Sequence, residues 1–256
     1  MEMKKCKAII FDYDGTIKEL SEQRISKEVE KTLKEIKELG SRIIVATGRP
    51  HDDCKYLIEE GLVDCIVSAN GALTDTNNIV IHDKRIDNDK VLRFYNFTIE
   101  HKISATFYSR KMQVNGIQTS LLDLGLKEIM NLDSNKLSMI NLNLEQEVFL
   151  MCAFVENRFD QKLKDVFPNM VLSRWHSKIV SILGTEVDKV TGISKALEYY
   201  NILPSECVAV GDGTNDIEML EYVNYGIAIG RENKRLISIS DEIIDRVDRK
   251  LISLIF

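Results

Sequence analysis

The chain is poor in the residues that mark disulfide-stabilised, zinc-binding or membrane-spanning proteins. Its 256 residues include three prolines, four histidines and five cysteines. The cysteines are scattered, odd in number and without a Cys-x-x-Cys pair, which favours reduced thiols over a disulfide framework or a zinc site. The histidines show no metal-ligand spacing. No apolar run is long enough to cross a bilayer, so we expect no membrane partner.

Charge and the N-terminal segment narrow the classes of partner further. The formal net charge is −6, and lysines and arginines are interleaved with acids instead of forming the basic stripe that nucleic acid needs. Only four apolar residues, Ala8–Phe11, precede Asp12, which is too short for the apolar region of a signal peptide. We therefore expect a soluble, cytoplasmic protein that binds neither nucleic acid nor membrane. The sequence does not indicate its oligomeric state.

Two acidic motifs lie far apart in the chain, and each follows a short apolar run. Asp12-Tyr13-Asp14-Gly15-Thr16 follows Ala8–Phe11, and Gly211-Asp212-Gly213-Thr214-Asn215-Asp216 follows Val208–Val210. Such runs are typical of buried parallel strands, whose carboxyl ends meet at one edge of a sheet. The carboxylates would converge there and repel each other unless a hard cation such as Mg2+ lay among them. The motifs therefore predict a metal-dependent phosphoryl-transfer enzyme.

The alternation of predicted strands and helices indicates an α/β fold with a doubly wound parallel, Rossmann-like sheet. This alternation is interrupted by an α+β pattern and resumes after Lys189. We therefore predict a catalytic core made of residues 1–83 and 188–256. Residues 84–187 are predicted to form an inserted cap domain.

Apolar periodicity predicts the bounds of several elements. The predicted cap strands are Ser104–Tyr108, Leu137–Leu142, Val148–Val155 and a bent Met170–Leu183. The predicted helices include Asp52–Glu60, Val91–Glu100, Phe159–Phe167 and Glu242–Phe256. The apolar face of the last helix is expected to pack on the sheet, with a partner or membrane surface as the alternative.

The motifs resemble those of the haloacid dehalogenase (HAD) superfamily of phosphatases, specifically its Cof-like branch with a large α/β cap. Four family motifs can be placed, at Asp12–Thr16, Thr47-Gly48-Arg49, Lys189 and residues 211–216. Asn70-Gly71-Ala72 also resembles that branch. The resemblance covers essentially the whole core, whereas the cap resembles the family in position and length.

The resemblance implies catalytic and phosphate-binding roles. Asp12 would attack phosphorus as the nucleophile, and Asp14 would act as general acid and then general base. The Thr47 hydroxyl and the backbone N–H of Gly48 would hold phosphoryl oxygens. Lys189 would balance the charge on the nucleophile and the phosphate.

The same resemblance implies a metal site. Mg2+ would be held by the Asp12 carboxylate, the Asp14 backbone carbonyl and Asp212. Asp216 would lie close to the metal, and Asn215 would orient the site and the bound phosphate.

Two assignments depart from the family pattern or lie outside it. Relatives often have glycine directly after the motif lysine, but Val190 follows Lys189 here, and Lys195 in the middle of a predicted helix is the alternative. In the cap, Arg174-Trp175-His176 is a basic and aromatic cluster that could grip a leaving group. Its alternative is an exposed strand with a packed tryptophan.

These expectations combine into one functional prediction. The chain is expected to be a Mg2+-dependent HAD-type phosphatase that hydrolyses a small phosphorylated metabolite, such as a sugar phosphate or phosphorylated cofactor, through an aspartyl-phosphate. The cap would exclude bulk water and set specificity. A phosphomutase or phosphotransferase would use the same four motifs and stays open. A catalytically idle HAD-like binding protein would be expected to lose Asp12, Asp14 or the metal loop, and this chain keeps them.

Overall fold

The structure is a computed structural model that describes residues 6–77, 79–130, 132–133, 136–142 and 147–256. These residues divide into two units. The first runs up to Arg49 and includes Cys54–Asp83 and Asp188–Phe256, and the second comprises Pro50–Asp53 and Lys84–Val187. The division predicted from the sequence differs at Pro50–Asp53, which pack with the second unit. Residues 1–5, on which part of the signal-peptide argument rests, lie outside the described residues. Within the described part of the chain, no helix is both long and apolar enough to cross a membrane.

Strands and helices are numbered along the chain. The strands are β1 (Ala8–Asp12), β2 (Arg42–Ala46), β3 (Cys65–Ser68), β4 (Leu73–Thr76), β5 (Ile79–Asp83), β6 (Ser104–Tyr108), β7 (Met112–Val114), β8 (Ser138–Met139), β9 (Leu150–Phe154), β10 (Val171–His176), β11 (Ile179–Leu183), β12 (Cys207–Gly211), β13 (Tyr225–Ile229) and β14 (Glu242–Ile244). The α-helices are α1 (Lys27–Glu38), α2 (His51–Cys54), α3 (Tyr56–Glu59), α4 (Asn88–Glu100), α5 (Ser120–Asp123), α6 (Asp160–Val166), α7 (Lys189–Tyr200), α8 (Ile217–Tyr222), α9 (Lys234–Ile239) and α10 (Arg249–Ile255).

The sheet of the first unit has the strand order β14-β13-β12-β1-β2-β3-β4-β5. The strands from β14 to β3 pair in parallel, and β4 and β5 add an antiparallel hairpin that the sequence analysis did not predict. Ile9 and Phe11 of β1 face one hydrophobic cluster, whereas Ala8 and Ile10 face another. Because apolar cores lie on both faces, the central strands are fully buried. The predicted α/β, doubly wound core is confirmed.

The central strand β1 determines which motifs become neighbours. It pairs with β12 on one side, where Phe11 lies opposite Val210, and with β2 on the other, where Asp12 lies opposite Ala46. Parallel pairing places the carboxyl ends of all three strands at one edge of the sheet. The ends of these strands and the loops that follow them carry the predicted site residues other than Lys189, which begins α7.

The second unit is built on a separate sheet with the strand order β10-β11-β9-β6-β7-β8. Its hydrophobic cluster includes residues of α4 and α6, among them Phe94 and Leu163. The predicted bent strand Met170–Leu183 is the antiparallel hairpin β10–β11. The predicted strand Leu137–Leu142 shortens to β8, and β7 was not predicted.

Two helices predicted in the core were placed wrongly. Asp52–Glu60 is divided into α2 and α3. Glu242–Phe256 begins as the edge strand β14, because Ile243 and Ile244 pair in parallel with β13. Only its last part is helical, and Asp248 caps that helix by accepting a hydrogen bond from the Lys250 backbone N–H.

Candidate active site

The candidate site centres on the buried ammonium group of Lys189. Its Nζ donates to Asp12 Oδ1 at 2.5 Å and to Asp216 Oδ1 at 2.7 Å. The three side chains are at most 7 % exposed. Asp12 ends β1, Asp216 follows β12 and Lys189 is the first residue of α7. Three distant segments therefore meet at a single ion-paired cluster.

Close backbone packing fixes where Lys189 enters this cluster. Asp188 caps α7 by accepting from the Thr191 backbone N–H at 2.7 Å. Gly71 has a φ of +99°, and a Cβ at this residue would lie 1.8 Å from the Asp188 carbonyl oxygen. A Cβ on Gly192 would lie 2.4 Å from Val67 Cγ1. Both glycines allow the start of α7 to approach the segment after β3.

The other carboxylate of the acidic loop, Asp212, is partly exposed and lies close to Asp12 and Asp216. Thr16 Oγ1 donates to Asp212 Oδ1 at 3.0 Å. A Cβ on Gly15, whose φ is +87°, would lie 2.3 Å from Asp212 Oδ2. The loop itself is closed by Asp216, whose Oδ2 accepts from the backbone N–H groups of Asp212 at 3.1 Å and Gly213 at 2.9 Å.

Burial and mutual repulsion shift the pKa values of the cluster. Burial raises the pKa of Asp12 well above its ordinary value, and the charges of Asp216 and Asp212 raise it further against the opposing effect of Lys189. Burial and then the charge of Asp216 raise the pKa of Asp212. Burial alone would lower the pKa of Lys189, but Asp12 and Asp216 outweigh it and the pKa is raised. One lysine leaves excess negative charge among the three carboxylates.

This donor set fits a divalent metal ion. Carboxylate oxygens of Asp12, Asp212 and Asp216 lie within 4.8 Å of one another. Hard cations with all-oxygen coordination suit such a cluster, and a bound cation would relieve the repulsion that raises the pKa values of Asp12 and Asp212. The Asp14 carboxylate lies outside this group, which leaves the backbone carbonyl as the contribution predicted for that residue.

Asp14 lies in a different charge environment, between two cations. Arg49 Nε donates to Asp14 Oδ2 at 2.5 Å, and Arg49 Nη2 donates to Oδ1 at 2.9 Å. Lys18 Nζ lies 3.1 Å from Oδ1. The sequence analysis did not identify either partner. Arg49 stood within the predicted motif and could have been considered, whereas nothing in the local sequence pairs Lys18 with Asp14.

The remaining predicted residues differ in burial. Thr47 is buried after β2, and its Oγ1 accepts from the Arg49 backbone N–H at 3.1 Å. Gly48 follows it, and a Cβ there would lie 3.1 Å from Asn70 Oδ1, so the loop leaves little room for a side chain. Asn215 is exposed.

The two alternatives for the motif lysine are placed very differently. Lys189 reaches Asp12 and Asp216, whereas Lys195 lies on the exposed side of α7 and pairs with Glu198. The geometry therefore favours Lys189.

In the predicted basic and aromatic cluster of the second unit, Arg174 and Trp175 have different surroundings. The Arg174 guanidinium pairs with Asp160 and donates through Nη1 to three backbone carbonyls, those of Val155, His176 and Ser177. Trp175 is 46 % exposed, and its Nε1 donates to Ser181 Oγ at 3.0 Å. The contacts of Arg174 therefore stabilise its own unit, which argues against the predicted role of this residue in binding a leaving group.

Comparison with protein families gives a match over nearly the whole chain. The sequence model of the haloacid dehalogenase-like hydrolase family matches residues 9–253. In Bacillus subtilis (strain 168), the protein named "Putative phosphatase YkrA" is 29 % identical over 245 residues, which are 94 % of this chain and 93 % of that protein. A second relative from the same strain, "5-amino-6-(5-phospho-D-ribitylamino)uracil phosphatase YitU", is 23 % identical over 244 residues, 87 % of this chain and 86 % of that protein.

A solved structure shows the same fold. The protein described as the HAD subclass IIB sugar phosphatase BT4131 superposes with a TM-score of 0.76 at 22 % identity, covering 93 % of this chain and 92 % of that chain. This likeness agrees with the predicted Rossmann-like core and inserted α+β domain.

Proposed function

Because the chain belongs to the haloacid dehalogenase-like hydrolase family, we propose that it is a Mg2+-dependent phosphatase that uses an aspartyl-phosphate intermediate. The family match and the phosphatases among its relatives confirm the broader prediction of a HAD-type phosphoric monoester hydrolase of the Cof-like branch. The observation that carries the finer proposal is the contact of Lys189 with Asp12 and Asp216 at the carboxyl edge of the sheet.

The first step assigned to this site is transfer of the phosphoryl group to the enzyme. An Asp12 carboxylate oxygen forms a bond to phosphorus while the bond from phosphorus to the ester oxygen breaks. Asp14, in its protonated form, gives its proton to the leaving oxygen, so the alcohol departs neutral. Thr47 and the backbone N–H of Gly48 are assigned to hold the phosphoryl oxygens, and Lys189 offsets the negative charge between nucleophile and phosphate.

The second step returns the enzyme to its starting state. Asp14, now ionised, takes a proton from water as the water oxygen attacks phosphorus. The bond between phosphorus and the Asp12 oxygen breaks, and phosphate leaves. The sum of both steps is ester plus water giving alcohol plus phosphate, and Asp14 ends with the proton with which it began.

Mg2+ would be held by Asp12, Asp212 and Asp216 together with the Asp14 carbonyl, and it would neutralise charge on the phosphoryl oxygens. Lys189 already bridges two of these carboxylates. The Asp216 oxygen on the loop side holds the backbone of residues 212 and 213 in place. These contacts support a site organised before substrate binds.

A small phosphorylated metabolite is the proposed substrate, either a sugar phosphate or a phosphorylated cofactor. Two observations support this class: one relative is named for a phosphoribitylamino-uracil and one structural neighbour for sugar phosphates. The inserted unit, residues 84–187, is proposed as the substrate-selecting cap of the core formed by residues 1–83 and 188–256.

The proposal is tested by phosphate release from a panel of phosphorylated metabolites with Mg2+. We expect strong turnover of one or a few members and loss of turnover in Asp12→Asn, which removes the nucleophilic charge while the fold, checked by circular dichroism, is kept. Mass spectrometry of acid-quenched wild-type enzyme should find one phosphoryl group on Asp12. Full activity of Asp12→Asn would overturn the covalent mechanism.

A further inference from the structure

Lys18 is a buried lysine whose ammonium group reaches the candidate general acid. It is 2 % exposed. Its Nζ lies 3.1 Å from Asp14 Oδ1 and donates to the backbone carbonyls of Glu19 at 2.9 Å and Glu22 at 3.1 Å. Two of its three N–H donors are therefore used by backbone carbonyls, and the contact with Asp14 is an ion pair.

A buried charge at this position is costly unless it is paired. Desolvation of an ammonium group is offset only by an opposite charge and by satisfied hydrogen bonds. The preceding residue, Ile17, is apolar and equally buried. If residue 18 only had to fill buried space, an apolar side chain would do so without the cost of burying a charge. The positive charge of Lys18 is therefore paired with the Asp14 carboxylate, and the hydrogen bonds to two backbone carbonyls orient the ammonium group.

A second cation, Arg49, contacts the same carboxylate. Arg49 contacts both oxygens of Asp14, whereas Lys18 contacts Oδ1. The Lys18 Nζ and the Arg49 guanidinium carbon each lie 5.7 Å from the centroid of the Tyr13 ring. The Tyr13 hydroxyl shares a hydrogen bond of 3.1 Å with the Tyr56 hydroxyl, so the ring is also held in place.

We propose that Lys18 is a positioning residue that, together with Arg49, orients the Asp14 carboxyl group for its two proton transfers. This inference rests on the proposed phosphatase function. Among the described residues, Arg49 is the only cation that contacts Asp14 Oδ2, whereas both Arg49 and Lys18 contact Oδ1. Lys18 thereby biases Asp14 to use Oδ2 when it gives a proton to the leaving oxygen and takes one from water.

This role has a consequence for the choice of ester. Alkoxides are poor leaving groups and need the proton from Asp14 as the ester bond breaks, whereas nitrophenolate leaves without it. The ratio kcat/KM reports the enzyme up to phosphoryl transfer, which is the step with the leaving group. A misplaced Asp14 should therefore lower kcat/KM for alkyl phosphates much more than for p-nitrophenyl phosphate.

The experiment compares Lys18→Met with the conservative Lys18→Arg and with Lys18→Gln, which keeps a hydrogen-bond donor without the charge. Lys55→Met is the matched control, because Lys55 is an exposed lysine that pairs with Glu59 at 2.9 Å. The substrates are the best alkyl phosphate from the metabolite panel and p-nitrophenyl phosphate. Melting temperatures identify variants that fail to fold.

We expect Lys18→Met and Lys18→Gln to lose about tenfold to a hundredfold in kcat/KM for the alkyl ester and less than about threefold for the aryl ester. Lys18→Arg should restore much of the loss, and Lys55→Met should match the wild type. In an Asp14→Asn background, Lys18→Met should cause almost no further loss, because a residue that acts through Asp14 has nothing left to orient.

Equal losses on both esters, or a full additional loss in the Asp14→Asn background, would overturn the inference and give Lys18 a purely structural role. If Lys18→Met does not fold, Lys18→Gln and Lys18→Arg decide the question by the same ratio. A wild-type enzyme that hydrolyses neither ester would instead reject the proposed function, so the two failures are distinguishable.

Discussion

Lys189 Nζ lies 2.5 Å from Asp12 Oδ1, although the two residues are 177 positions apart in the chain. Most of the residues between them belong to the second unit, yet neither end of this ion pair does. The contact therefore depends on α7 starting at the point from which Lys189 reaches the end of β1.

Removing Lys189 should impair both turnover and stability. Lys189→Ala takes away the charge facing two buried carboxylates, and loss of such a preorganised contact typically costs about 3 kcal/mol, a hundredfold or more in kcat. The melting temperature without metal should also fall, because Asp12 and Asp216 are left buried and unpaired. The matched control is Lys195→Ala, which loses only an exposed pair with Glu198. A dead Lys195→Ala beside an active Lys189→Ala would reverse the assignment.

Metal removal should abolish activity and expose a pH dependence of stability. Raised pKa values at Asp12 and Asp212 mean that the folded chain without metal binds protons more tightly than the unfolded chain. This contribution is favourable at low pH and is lost as the pH rises from the ordinary aspartate value towards the raised one. Because Mg2+ competes with these protons, it should raise the melting temperature more at about pH 8 than at about pH 5.

Calorimetric melts with EDTA and with Mg2+ at both pH values provide the measurement. Asp212→Asn removes one carboxylate of the cluster and should reduce the shift caused by Mg2+ at the higher pH. An enzyme that is fully active in EDTA, or a Mg2+ effect that does not change with pH, would contradict this account of the cluster.

Gly71 should control the position of Lys189. In Gly71→Ala, the added Cβ meets the Asp188 carbonyl oxygen at 1.8 Å, so the start of α7 must shift. A misplacement of about 1 Å at a reacting group can cost on the order of a hundredfold in rate. Gly61→Ala is the control, because Gly61 also has positive φ, +70°, but a Cβ there has no neighbour within 4 Å.

Both glycine variants should lose about 1 kcal/mol of stability from the strained backbone alone. Gly71→Ala should in addition lose kcat by tenfold or more, measured with p-nitrophenyl phosphate. Similar kcat values for the two variants would show that the packing of α7 tolerates the added methyl group.

Arg174 and Trp175 should give different phenotypes. Arg174→Ala breaks an ion pair with Asp160 and three bonds to backbone carbonyls, so we expect a stability loss of about 2 kcal/mol and similar activity losses on every substrate. Trp175→Ala should keep stability and change the ratio of kcat/KM between the best metabolite and p-nitrophenyl phosphate. An unchanged ratio in Trp175→Ala would place the specificity contacts elsewhere in residues 84–187.

Local sequence patterns were sufficient to predict many of the strands and helices of the core. The apolar run before Asp12 predicted β1. The hairpin β4–β5 was missed because polar residues such as Thr74 and Asp75 weaken its strand signal. The strand β14 was missed because Ile244 also fits the spacing of an amphipathic helix with Val247 and Leu251.

Long-range partners within the site could not be predicted from spacing. Lys189 was placed by resemblance alone, and its contacts depend on Gly71 and Gly192, which allow two segments to approach closely. The cations around Asp14 are one local and one distant residue, Lys18 and Arg49, and neither has a pattern that reveals a shared partner. Such information lies in the tertiary packing and not in local periodicity.

The position of β1 between β2 and β12 also matters during synthesis of the chain. When β1 and β2 have left the ribosome, the other edge of β1 has no partner until Cys207–Gly211 is translated. An apolar strand with one open edge is a site for unwanted pairing between nascent chains. Residues 84–187 make up most of the chain between β2 and β12, so this insertion lengthens the time for which that edge stays uncovered.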